Sequence, residues 1–144
     1  MTIATPPRLG PDQLATAHLG AAVKGNGYLV LGRSIDALSM SVGRGAEVNH
    51  RLGLVMQRCP IIWSAVEDTW TFLTGPRTPL RTETVADLTL LGVTWPPAGA
   101  RVQLPAAMPG AGDPVWVQAP GVEAELPGWS TVVGAARRTR FGGW

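Results

Sequence analysis

Tyr28-Leu29-Val30-Leu31, then Gly32-Arg33, then Ser34-Ile35-Asp36-Ala37-Leu38-Ser39-Met40 is the stretch that decides the fold. Two short apolar runs, each rich in residues that suit a pleated surface, are parted by a glycine, and both predict strands. The pattern then changes period. Val48, Leu52, Val55 and Met56 recur at spacings of three and four, which predicts an amphipathic helix over 45–58, stopped by Cys59-Pro60. Strand character returns at 61–66 and 69–74, separated by Glu67-Asp68, and Gly75-Pro76 closes this hairpin. The four runs predict a central, mainly antiparallel sheet with the helix on one face.

Outward from this stretch the signals are weaker. Residues 1–10 are Pro-rich and read as a flexible N-terminus. Residues 11–24 read as a helix entered at Pro11-Asp12 and ended by Gly25-Asn26-Gly27. Thr84 heads a short helix over 84–91, with a strand as the alternative. Residues 100–104, 115–119 and 131–133 read as short strands, and 137–144 as a basic, flexible tail. The whole is one α+β domain over 11–136, with no internal repeat.

Composition bounds the function classes. A chain of 144 residues with 45% apolar and 15% charged residues can bury a core and is not a disordered type. Arginine outnumbers lysine eleven to one, yet the net charge is only +2, too small a field to drive nucleic-acid or anionic-membrane binding by itself. Cys59 is the single cysteine, which excludes an internal disulfide and fits a reducing, cytoplasmic setting. The first residues lack a secretory pattern, and no apolar run reaches bilayer length, so no membrane partner is expected.

The text from Leu29 to Leu38, the helix after it, Trp63-Ser64-Ala65-Val66-Glu67-Asp68-Thr69-Trp70-Thr71-Phe72, and Val115-Trp116-Val117-Gln118-Ala119-Pro120-Gly121 together resemble bifunctional DNA primase/polymerase domains of the archaeo-eukaryotic primase superfamily. The resemblance implies an RRM/primase-like fold. It also implies a strand bearing two carboxylates two residues apart, which would hold the divalent metals of nucleotidyl transfer. Here Asp36 stands at the first of those positions and Leu38 at the second. The family's hairpin histidine is also missing, with Thr69 or Thr71 nearest to its place. The resemblance therefore implies a degenerate domain with no catalytic residues, no metal and no cofactor.

Asp36 is the candidate relic metal ligand, against a plainer reading as a polar strand-edge residue. Arg33, Arg44, Arg137, Arg138 and Arg140 are candidate anion or nucleic-acid contacts, against surface ion pairs. Arg44 lies within Gly43-Arg44-Gly45, expected just ahead of the helix, where free amides can meet an anion. Six tryptophans are many for this length. Trp63, Trp70 and Trp116 fall in expected strands and serve the core; Trp95, Trp129 and Trp144 fall in Pro/Gly-rich segments and are the candidate interface. The expected function is protein–protein interaction or self-association by a non-catalytic primase-like domain. The alternative is a nucleic-acid or nucleotide-binding module retaining the ancestral groove.

Overall fold

The computed structural model describes residues 23–24, 27–121 and 125–139. The architecture is α+β, and the described residues form two antiparallel sheets and three helices. In chain order the elements are β1 (Val23–Lys24), β2 (Tyr28–Val30), β3 (Asp36–Ser41), α1 (Val42–Leu54), β4 (Ile61–Ser64), β5 (Thr69–Thr74), α2 (Thr82–Leu90), β6 (Arg101–Gln103), β7 (Val115–Gln118) and α3 (Trp129–Arg138). The central sheet has the order β3-β5-β4-β7, and the smaller sheet the order β1-β2-β6.

The first two apolar runs do not share a sheet, which corrects the expectation. Gly32 adopts φ +104° and its amide bonds Ile35 O at 3.0 Å, so the chain turns between the runs. β2 then pairs with β6 while β3 pairs with β5. Of the helix expected over 11–24, residues 11–22 lie outside the described residues, and Val23–Lys24 form a strand.

The central sheet has two different faces because its residues alternate. Leu38, Met40, Ile61 and Phe72 point to the helices, where Val48, Leu52, Leu88, Trp129, Val132 and Ala136 complete one cluster. Ala37, Ile62 and Leu73 point the other way and meet Leu29, Leu31 and Leu104 of the small-sheet region. The three described helices thus lie on one face, and the small sheet covers part of the other.

α1 begins at Val42, three residues earlier than its apolar stripe suggests, because Ser41 caps it: its Oγ accepts from Arg44 N at 3.4 Å. It ends at Leu54, so Val55 and Met56 lie beyond the helix and are exposed rather than buried. Gly45 lets it approach the sheet: a Cβ there would lie 2.9 Å from the Trp70 ring. The β4–β5 hairpin turns as expected, with Asp68 in the left-handed region and its carboxylate accepting from Trp63 Nε1 at 3.3 Å.

The segment expected as a last strand, 131–133, is instead part of α3. Trp129, Val132, Val133 and Ala136 are buried at spacings of three, four and seven, a helical stripe that the paired valines disguise as strand text. Arg137 and Arg138 belong to this helix, so the folded domain runs past the expected boundary at 136.

After α2, Thr94 pairs with Ser39 on the outer edge of β3 through two backbone bonds of 2.8 and 2.9 Å. Counting that bridge as a vestigial strand, β3-α1-β4-β5-α2-Thr94 follows the split β-α-β arrangement of β-α-β-β-α-β folds.

Gly32 cannot accept a side chain cheaply. A Cβ there would lie 2.6 Å from Ala98 Cβ, and the backbone is left-handed. Gly32→Ala is expected to lower stability by about 2–4 kcal/mol, strain and overpacking together. The measurement is the urea midpoint at unchanged denaturant slope; a midpoint equal to the parent's would contradict this packing.

Candidate functional site

Asp36 opens β3, on the helix-facing side together with Leu38. It is 0% exposed. Its Oδ2 accepts from Arg77 N at 2.8 Å and its Oδ1 from Arg77 Nε at 2.7 Å, with Arg77 Nη2 completing an ion pair. Arg77 Nη2 also donates to Pro96 O at 2.7 Å, and the guanidinium lies 5.6 Å from the centre of the Trp129 ring. One carboxylate and one guanidinium thus tie together β3, the segment after β5, the segment after Thr94 and the start of α3. A buried carboxylate needs such a partner, since uncompensated burial of charge is costly.

The relic-metal reading of Asp36 is corrected here. Both oxygens are occupied by the chain itself, and the position two residues on, Leu38, is sealed in the helix-side core. Neither faces a groove. Among the described residues no group of three or more His, Cys, Asp or Glu is placed to hold a metal ion.

The arginine candidates do not form one basic surface. Arg33 is exposed on the Gly32–Ile35 turn. Arg44 lies inside the first turn of α1 rather than ahead of it, and donates to Thr139 Oγ1 at 2.6 Å, holding the end of α3. Arg137 is paired with Asp87 of α2 at 2.9 Å. Arg138 is exposed near the C-terminal end of α3, a position the helix dipole favours for a cation. Arg140 lies outside the described residues.

The tryptophans also redistribute. Trp129 is 2% exposed, which removes it as an interface residue: α3 starts by driving its first side chain into the core beneath Arg77. The strand residues Trp63, Trp70 and Trp116 are only half-buried. Trp95 is half-buried and lines a shallow groove with Thr89, Gly92, Val93 and Thr94. Trp144 lies outside the described residues. The groove holds about 250 Å³, less than the roughly 300–1,000 Å³ of ordinary small-molecule sites.

Beyond the small sheet, the second face of the central sheet carries hydroxyls. Ser39 and Thr71 are directly opposed and bonded at 2.8 Å, and Ser41, Thr69 and Ser64 occupy the next row. None of these five residues is ionisable.

Sequence reasoning missed Arg77, whose partner is 41 positions away, and the role of Thr94. The β3–β5 register places Asp36 opposite Thr74, three residues from Arg77, and only that register reveals the pair.

The chain matches no family model, no curated protein and no solved structure.

Removing either member of the buried pair leaves the other uncompensated. Asp36→Ala and Arg77→Ala should each cost about 3–5 kcal/mol. The double variant should lose clearly less than the sum, as a double-mutant cycle of urea unfolding would show; additive losses would mean the two groups are not coupled. A second expectation concerns Cys59, buried with its thiol donating to Leu73 O at 3.1 Å. Burial pushes the thiol above its ordinary 9.0. The native state therefore keeps a proton that the unfolded chain loses. The stability this gives is intact below about pH 9 and falls above it by up to ~1.4 kcal/mol per pH unit. Unfolding of the parent against Cys59→Ala between about pH 8 and 10 should show the extra slope in the parent alone.

Proposed function

We propose that this chain is a primase/polymerase-like domain that carries out no nucleotidyl transfer and acts by binding protein. The single observation that supports the absence of transfer is the state of Asp36. A two-metal site needs carboxylates with free oxygens around an open cavity. The residue aligned with the first metal ligand is buried and saturated by Arg77, and the second position is a core leucine. The split β-α-β order of the central sheet supports the primase-like reading, which implies an RRM/primase-like sheet.

Support for protein binding comes from what the surface offers. Leu54, Val55 and Met56 form an exposed apolar tip at the end of α1, Leu90 is exposed at the end of α2, and Trp95 lines a groove too small for most ligands. The nucleic-acid alternative has less to draw on. Arg44 and Arg137 are engaged within the chain, and the five hydroxyl residues of the second sheet face supply no cation with which to track a phosphate backbone.

A primer-extension assay of the purified chain with a primed template, nucleoside triphosphates and Mg²⁺ or Mn²⁺ tests the first half. No extension and no metal-dependent rise in thermal midpoint are the expected results. Template-dependent product would overturn the reading. For the second half, titration with labelled single-stranded DNA at low and high salt should show no steeply salt-dependent binding.

A further inference from the structure

The end of α1 carries an apolar tip that the fold itself does not use. The helix closes with Met56 N bonded to Gly53 O at 3.0 Å and Gln57 N to Leu52 O at 2.8 Å, the paired bonds of a Schellman ending. Met56 therefore sits in the left-handed region, at φ +58°, where glycine is the usual occupant because a side chain there costs conformational energy. No packing within the chain offsets that cost, since Met56 is 92% exposed. Leu54 and Val55 beside it are exposed as well. Residues 53–58 are all exposed, and Arg58 is the only charged side chain among them.

A second surface of opposite shape lies at the end of α2. Thr89, Gly92, Val93, Thr94 and Trp95 line the groove of about 250 Å³, and none of them is ionisable. Leu90, next to Thr89, is exposed. The groove is smaller than an ordinary small-molecule site but has room for the side chains of a short protruding turn. α2 has no basic residue in its last turn, so the negative end of its dipole is unopposed from within the helix.

We propose that the α1 tip of one copy of the chain docks, Met56 foremost, into the Thr89–Trp95 groove of a second copy. The proposal rests on the protein-binding reading above and names the partner and the contact. Three observations favour a copy over another occupant. The surfaces match in kind, a protruding apolar tip and a small uncharged groove. They are also complementary in charge. Arg51 is spent on Glu47, whereas Arg58 bonds a carbonyl, Ala119 O at 3.3 Å, and keeps its charge to meet the negative end of α2. Finally, the tip does not fill the groove of its own chain: α3 packs against both α1 and α2, between them, and Met56 stays exposed. Tip and groove are different patches, so the contact is heterologous. Each docked copy still offers a free tip or a free groove, and association continues into a chain unless it closes as a ring. A contact of one turn in one small groove is well below the area of a stable interface, so the association is weak and reversible.

The test is sedimentation equilibrium of the full chain at concentrations up to about 1 mM, where weak association is populated. The average mass of the parent should rise with concentration. Met56→Asp removes the apolar tip, and aspartate tolerates the left-handed backbone. Thr89→Arg, at an exposed helical position, fills the groove and sets a cation against the incoming Arg58. Each variant alone should associate at least about thirtyfold more weakly than the parent. Mixed one to one, the two should associate again, because the first keeps its groove and the second its tip, and the mixture should stop at a dimer. Far-UV circular dichroism checks that both variants fold. A parent that stays monomeric overturns the proposal. So does a variant that associates like the parent, or a mixture that stays monomeric while the parent associates. Each of these results leaves the non-catalytic reading to its own assay, and a monomeric parent leaves protein binding to a different partner.

Discussion

A buried carboxylate is tolerable only where the fold brings it a cation, and Asp36 with Arg77 is where this chain meets that requirement. The pair does more than neutralise a charge. Arg77 distributes its donors over Asp36 and Pro96 O and holds its guanidinium over the Trp129 ring, 5.6 Å from the centroid. A lysine could carry the charge but not this fork of contacts. Four separate stretches of chain meet at one guanidinium, and the central sheet, the bridging Thr94 segment and α3 take their relative positions there.

From that anchor the layering follows. With α3 lodged against β3 and β5, between α1 and α2, the helix side of the sheet is filled by apolar side chains from three helices. Trp129 enters this core although its indole N–H finds no acceptor. Leaving a donor unpaired costs about 1–3 kcal/mol. The buried area of the ring and the cation above it offset that cost. Among the described residues the small sheet lies against only part of the opposite side, and the rest of that face carries serine and threonine.

Much of this organisation is legible in the chain. The helical stripe of Val48 and Leu52 and the hairpin about Glu67-Asp68 declare themselves through spacings of a few residues, and so does the short helix near Thr84, although it starts at Thr82 after Arg81 with no side-chain cap. Misreadings arose where a local signal was ambiguous or met a distant partner. Thr131-Val132-Val133 has strand-forming residues, yet the stripe they share with Trp129 and Ala136 is helical, and burial against the sheet favoured that period over propensity. Trp129 lies beside Pro127 and Gly128, which suggests surface, but its helix starts immediately and carries it inward. The candidate site was legible only in part: Leu38 beside Asp36 already spoke against a metal pair, whereas nothing near Asp36 points to Arg77.

The sequence by itself determined the α+β class, the existence of most elements and the lack of a second acidic residue two positions after Asp36, because each depends on residue type and on periodicities within one element. Tertiary structure decided which way Asp36 faces and which strands share a sheet. Those depend on register between segments tens of residues apart. Asp36 reaches Arg77, Ser39 reaches Thr94, and β2 reaches β6 only after the intervening chain has folded. Backbone hydrogen bonds are the same for every residue, so the chain carries no local mark of who will pair with whom. The decision falls to the packing of the two faces and to the cost of burying one aspartate alone.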